Sequence, residues 1–475
     1  MNKPDLKIDG TYIRRLIKSL NYYSFSAGSK RYERQYLAGK KLETDFFVGI
    51  SEEQLRDFLR CTNWSFKKAQ ALIIKTRLLL EQHDDAKSLA FEAPYNYSYV
   101  IALLTDYADA LGWILLSHDI SEVRNQFLGI KDYSKLKNHN WESVERALKQ
   151  FNKDPDQIAL ANDLTSFMQI GDVFCFNTAT KQISRIELKE GKVNEAIGKI
   201  LYSADGDFES FKRKTEAFVQ ASDNPRQALS QLKRNIRQQL RTMNSAAYHR
   251  SKGTKRIDIK TEKEVTIFEE NRDEESWANG VIDAIKQGGL VSGWYDRCLF
   301  FLYGKHRLNN MYDGFFRFRI CEHFGLGLTP EESLELPIFN VGQQLANPTL
   351  KPQSLNLMVL GEKNQKELLA ANHFLLAYLH FPALKSFLEE DGYTIYLKKV
   401  NAAEQMYSDK LMRKMFGANK IPVIEKVDNP RAKLSILTGT WSRILFGFMA
   451  PQELINYSST TLARFDNPEV SSKKT

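Results

Sequence analysis

The chain has 475 residues, of which 43% are hydrophobic, 12% aromatic and 26% charged, and its formal net charge is +9. That length exceeds what one core usually organises and the composition is that of a folded protein, which excludes a largely disordered chain and favours two or three domains. Cys61, Cys175, Cys298 and Cys321 are scattered without a CxxC pair, so neither a disulfide framework nor a structural zinc site is expected.

The opening MNKPDLKIDG has none of the apolar stretch of a secretory signal. The first 41 residues hold ten Lys or Arg against three acids, and NYYSFSAGSKRYERQY interleaves aromatics with that charge. This pattern suits either aromatics that stack on exposed bases or the buried side of a helix pair. Tyr12, Leu16 and Leu20 keep a one-face spacing, ISEEQLRDFLRC opens with a Ser51-x-x-Gln54 capping pattern, and KKAQALIIKTRLLLEQ is long and free of proline. A mostly helical region over residues 1–140 follows. Its most apolar run, YSYVIALLTDYADALGWILL, is broken by Asp106 and Asp109 before membrane-spanning length, so a soluble, cytoplasmic protein with no membrane partner is expected.

Residues 141–305 alternate helix and strand. WESVERALKQF is amphipathic, two short apolar runs follow, and QALSQLKRNIRQQLRTMN reads as a long helix. From Arg226 to Arg256 there are nine basic residues and no acid, which suits a polyanion such as nucleic acid. Lys233, Arg234, Arg237 and Arg241 recur there at helical spacing and can track phosphates. Residues 306–475 mix apolar segments with loops rich in Asn, Pro and Gly, and are expected to form an α+β domain without a recognisable motif. Within them His373 and His380 are read as packed histidines on one helix.

The two apolar runs carry the chemistry. DVFCFN and ISRIELK are rich in β-branched and aromatic residues and are joined by the polar TATKQ, which predicts a hairpin. A turn centred between Ala179 and Thr180 places Asp172 opposite Glu187, with Lys189 on the same face as Glu187. Two facing carboxylates repel unless a cation or proton lies between them, and a hard divalent ion such as Mg²⁺ (or Mn²⁺) accepts an all-oxygen site. Such an ion with open positions coordinates a phosphate oxygen, and a neighbouring lysine can hold the attacking water.

With Gly171-Asp172 before one strand and Glu187-Leu188-Lys189 ending the next, residues 141–305 resemble the PD-(D/E)xK nuclease superfamily. The resemblance implies a restriction-endonuclease-like core, a mixed sheet flanked by helices: a helix, the hairpin with the site, a further helix and a closing strand, for which RCLFFLYG is the candidate. It makes Asp172 and Glu187 metal ligands and Lys189 the water-positioning residue, with Glu145 (Glu142 is the alternative) as a helix-borne carboxylate and Gln231 as an auxiliary substrate contact. Gly171 replaces the signature's proline, and the stretch between Val193 and Pro225 requires an insertion or an extra helix. The implied activity is Mg²⁺-dependent endonucleolytic hydrolysis of phosphodiesters, of DNA rather than RNA, in a bacterial restriction or anti-phage defence role. A catalytically silent nucleic-acid-binding or scaffold protein and an RNA nuclease stand as alternatives, and a homo-oligomer or a regulatory protein partner is left open. No GxSxG, Walker loop or GxGxxG after a strand supports a serine hydrolase, a nucleotide-driven motor or a dinucleotide oxidoreductase.

Overall fold

The computed structural model describes residues 6–40, 51–85, 87–116, 122–123, 126, 136, 141–180, 182–188, 208–221, 225–226, 229–230, 232–233, 255–257, 264–266, 276–343, 352–400, 410–417, 419–436 and 438–466. It is a mixed α/β protein whose strands fall into several small sheets.

The chain starts with a short strand β1 (Leu6–Ile8), and Asp9 caps helix α1 (Gly10–Asn21) by accepting a hydrogen bond from the Tyr12 amide at 2.8 Å. A π-helical turn (Tyr22–Ser26) leads into α2 (Ala27–Tyr36). Helix α3 (Glu52–Asp85) begins as its sequence predicts: the Gln54 amide donates to Ser51 Oγ at 3.2 Å, and the Ser51 amide donates to Gln54 Oε1 at 2.9 Å. Strand β2 (Leu89–Phe91) pairs in parallel with β1, a pairing that the mostly helical reading of this region did not include. Three-residue strands leave almost no period to read.

Helix α4 (Tyr97–Leu115) is buried along nearly all its length. Its two aspartates are buried with it and bonded to backbone: the Asp106 carboxylate accepts from the Gln353 and Ser354 amides at 2.6 and 2.9 Å, and the Asp109 carboxylate from the Ser166 amide at 2.7 Å and from the Ser166 hydroxyl. Among the described residues no helix is long and apolar enough to cross a membrane.

Helix α5 (Trp141–Phe151) leads into an antiparallel sheet of β3 (Gln157–Ala161), β4 (Val173–Asn177) and β5 (Ile183–Ile186), in that order, with β3 and β5 at the edges. Helix α6 (Phe208–Gln220) is the extra helix expected between Val193 and Pro225. A two-stranded ladder, β6 (Lys255–Ile257) with β7 (Glu264–Thr266), precedes α7 (Ala278–Gln287).

A second sheet has the order β10-β11-β9-β8, formed by β8 (Leu290–Tyr295), β9 (Leu299–Gly304), β10 (Phe339–Asn340) and β11 (Phe374–Leu379). The segment RCLFFLYG is therefore β9 of this sheet and does not close the hairpin's sheet. The reason is local: Asp296 and Arg297, both at positive φ, turn β8 directly back onto it, and its fully buried residues suit a central strand. The stretch between His373 and His380, read as helix, is strand β11. Six buried residues in a row carry no period that separates a two-sided strand from a buried helix.

Helices α8 (Asn310–Phe324) and α9 (Pro330–Ser333) connect β9 to β10, and α10 (Gln353–Leu357) and α11 (Glu362–Leu369) precede β11. The chain ends in α12 (Phe381–Glu390), a third sheet of β12 (Tyr393–Lys399), β13 (Lys420–Lys426) and β14 (Asn429–Ser435) with α13 (Lys410–Phe416) inserted, then α14 (Thr438–Phe446) and α15 (Gln452–Asp466). One contiguous apolar cluster runs from Ile8 through Leu104, Phe174 and Leu375 to Leu462, so all three sequence segments contribute to one core.

Candidate functional site

The head of the β4–β5 hairpin is built by the loop that precedes it. Asn162, buried at the end of β3, donates through Nδ2 to the carbonyls of Ile170 and Gly171 at 2.9 and 3.0 Å, and its amide donates to the Asp172 carbonyl at 3.0 Å. These bonds close residues 162–172 into a loop whose two ends lie side by side. Asp109 of α4 holds the middle of the same loop through Ser166. Gly171 has φ +80°, and a Cβ there would stand 2.9 Å from the Ile186 carbonyl oxygen. Proline, fixed near φ −65°, is thus excluded at the position where the resembling family carries it.

The hairpin has the register read from the sequence: Val173 faces Ile186, Phe174 faces Arg185, Cys175 faces Ser184 and Phe176 faces Ile183. Asn177 makes the turn, its Oδ1 accepting from the amides of Ala179 and Thr180 at 2.9 and 2.8 Å. One step beyond the ladder the Asp172 amide donates to the Ile186 carbonyl at 2.7 Å. Its Oδ2 accepts from the Leu188 amide at 2.5 Å, so the carboxylate lies against the peptide that joins Glu187 to Leu188. Both acids are half-buried, which leaves them reachable from solvent.

The Asp172 carboxylate is thus held by backbone beside the peptide that follows Glu187, and carboxylate oxygens are hard donors of the kind that fit Mg²⁺ or Mn²⁺. Lys189 lies outside the described residues. Glu145 is not brought to the pair: on α5 it forms an ion pair with Lys149 at 2.8 Å and lines a groove against α3 with Gln70, Ile74, Leu78 and Leu148, a groove that neither Asp172 nor Glu187 lines. Glu142 stands in the first turn of the same helix. Among the described residues no three or more His, Cys, Asp or Glu are grouped as a metal would require, so no third carboxylate joins Asp172 and Glu187.

Of the basic stretch, Lys233 is exposed at a helical position, and Gln231, Arg234, Arg237 and Arg241 lie outside the described residues. The aromatics near the N-terminus divide between the two readings. Phe25 and Tyr32 are in the core, whereas Tyr22 and Tyr36 are 45% and 48% exposed.

Sequence reasoning passed over Arg185, two positions before Glu187. Its side chain is almost fully buried, with Nε 3.3 Å from Gln126 Oε1 and a terminal nitrogen 3.9 Å from Glu122 Oε2. Burial pulls its pKa down and the Glu122 carboxylate opposes that shift. The only sign of it in the sequence was a lone charge set between Ile183 and Ile186 in a short apolar strand.

Compared with protein-family models, with curated proteins and with solved structures, the chain matches none.

Proposed function

We propose that this protein is a metal-dependent nuclease that hydrolyses phosphodiester bonds, of DNA in the first instance, at the head of the β4–β5 hairpin. The observation that carries the reading is the junction of Asp172 with the Glu187–Leu188 peptide, two half-buried acids at one end of a strand pair in the register their spacing required. The resemblance of Gly171-Asp172 and Glu187-Leu188-Lys189 to the PD-(D/E)xK signature supports it, as does the place of helix α5 ahead of the hairpin. Asp172 and Glu187 would hold the ion, which supplies charge neutralisation at phosphorus and a lowered pKa for bound water. Asp172 is oriented by the Leu188 amide, so one of its oxygens is fixed in place by backbone. Lys189 follows directly and is assigned to hold the attacking water. Hydrolysis forms the bond from water oxygen to phosphorus and breaks one ester bond, and the leaving alkoxide takes up a proton.

The same hydrogen bond favours a second reading, a catalytically silent nucleic-acid-binding or scaffold protein in which Asp172 serves only to cap the end of β5. One experiment separates the two. The purified chain is incubated with plasmid, linear and single-stranded DNA and with RNA, with Mg²⁺, with Mn²⁺ and with EDTA. Asp172→Ala and Glu187→Gln should abolish metal-dependent cleavage, and Lys189→Ala should abolish cleavage with metal binding retained. Cleavage by all three variants at the parent rate overturns the assignment of this site.

A further inference from the structure

Away from the hairpin, a basic surface is assembled from three distant parts of the chain. Gly10 opens α1, and a Cβ there would meet a terminal nitrogen of Arg307 at 3.1 Å, the Tyr95 hydroxyl at 3.3 Å and a terminal nitrogen of Arg14 at 3.8 Å. Two guanidinium groups, one from α1 and one from the turn after β9, thus share the space that a single side chain at residue 10 would take. The parts are fixed to one another: Tyr95 donates to the Ala370 carbonyl at 2.7 Å, Asn21 of α1 donates to Gln365 of α11 at 3.1 Å, and Arg14 reaches Asn372 Oδ1 at 3.4 Å.

Around this point the charge is one-sided. Helix α1 carries Arg14, Arg15 and Lys18 and no acid. Lys305, His306 and Arg307 follow β9, and Lys363, the second residue of α11, is close enough to act on His373 together with Lys305 and His306. The side chains of Arg15, Lys305, Arg307 and Lys363 make no hydrogen bond or ion pair among the described residues, and all four are exposed. The acids nearby are Asp9, engaged as the α1 cap, Glu92, the exposed Glu362 beside Lys363, and Glu367, which accepts from Asn372 at 2.7 Å and lies 3.6 Å from Lys366. Exposed cations on folded elements that outnumber the acids beside them suit a polymer of phosphates. The ring pair of His306 and Tyr312, 6.0 Å apart and nearly parallel, adds flat faces beside them.

We infer that Arg14 and Arg15 of α1, Lys305 and Arg307 after β9, and Lys363 of α11 form a seat for the phosphate backbone of nucleic acid. The inference takes its ligand class from the nuclease reading and is otherwise independent of it. The seat is separate in sequence from the basic stretch between Arg226 and Arg256.

The test is equilibrium binding of the full chain in EDTA to fluorescent duplex DNA, single-stranded DNA and an RNA hairpin, followed between 50 and 200 mM salt. Replacing Arg15, Lys305, Arg307 and Lys363 together by Gln should weaken binding at least tenfold and make the log–log salt slope shallower by about 3 to 4 on duplex DNA. Interchanging Lys and Arg at the same four positions should leave affinity and slope near the parent values, which separates loss of charge from loss of fold. Binding is read in EDTA without cleavage, so a failure of the cleavage assay leaves this measurement intact. Unchanged affinity and slope in the four-Gln variant overturns the inference. So does loss of binding to phosphatidylserine vesicles in that variant with nucleic-acid binding preserved, which would reassign the surface to a membrane. The three nucleic-acid arms report which polymer the seat prefers.

Discussion

Replacing Gly171 by Ala tests the geometry on which the hairpin head depends, and Gly289 supplies the control. Both glycines sit at positive φ, +80° and +76°. A non-glycine residue in that region costs about 1–2 kcal/mol, and in both variants the unfolded chain loses a similar amount of freedom, which offsets about 0.4–1 kcal/mol. The two sites differ in their surroundings. A Cβ at Gly171 would stand 2.9 Å from the Ile186 carbonyl oxygen and within 3.3 Å of the Ile186 carbonyl carbon and amide nitrogen, all backbone atoms of a paired strand, whereas nothing lies within 4 Å of a Cβ at Gly289. Forcing a methyl into such a contact costs about 1–3 kcal/mol. Gly171→Ala is therefore expected to lose about 1–3 kcal/mol more than Gly289→Ala, read as the difference between their urea midpoints at equal m-value. Hydrogen exchange at the Leu188 amide should accelerate in the first variant alone, because displacing Ile186 carries Asp172 with it. Equal midpoints for the two variants, with Leu188 protection unchanged, would refute the view that Ile186 backbone fixes the position of Asp172.

Asp106 has its pKa raised to about 6 by burial, against the hydrogen bonds it accepts from Ser354 and Gln353. A carboxyl that binds its proton more tightly in the folded state contributes stability that is complete below its unfolded pKa and is lost as pH rises through about 6; the loss amounts to about 3 kcal/mol. Asp106→Asn should flatten the fall in urea midpoint between pH 4 and 6.5, and a variant profile parallel to the parent's would show that this carboxyl does not drive it. Asn162→Ala removes two hydrogen bonds to the Ile170 and Gly171 carbonyls, and should lower stability by about 2–3 kcal/mol and cleavage with it. Full stability by urea unfolding would show that the loop closes without this residue.

What could be read ahead of the structure was whatever the chain decides locally. Ser51 and Gln54 form their reciprocal cap within one helical turn, and the hairpin register follows from two short apolar runs and the polar turn between them. Packing decided the rest. Strands β9 and β11 are buried on both faces, so LFFLYG and FLLAYL show no alternation, and their pairing joins residues at least 70 positions apart. Glu145 was chosen for its place on the helix before the hairpin, but the way that helix turns is set by Trp141, Val144 and Leu148 in the core, which leaves Glu145 facing α3 and Lys149. The convergence of Arg14 with Arg307 over Gly10 had no trace in the sequence, because nothing local links residues so far apart.

The sheet that carries the hairpin is not self-sufficient, and the reason is its outer strand. β3 is an edge, and an edge strand presents unpaired backbone groups. Here side chains take the place of a neighbouring strand: Gln70 of α3 donates to the Ala159 carbonyl at 2.7 Å and accepts from the Ala161 amide at 2.8 Å, Asn63 of α3 donates to the Gln157 carbonyl at 3.3 Å, and Asn152 accepts from the Ala159 amide at 3.0 Å. Lys67 of α3 donates to the Asn152 and Asp154 carbonyls, both at 2.9 Å, and ties down the connection from α5. On the other side of the sheet's entry loop, α4 uses Asp109 to hold Ser166 and, one turn earlier, Asp106 to cap α10. The position of Asp172 therefore depends on helices from the N-terminal region, and the second of these is bonded in turn to the C-terminal region. A substrate seated on α1 and the β9 turn would bear on these same helices, since α1, α3 and α4 share one apolar core with the hairpin. On the proposed reading, holding and cutting would then be parts of one packed body.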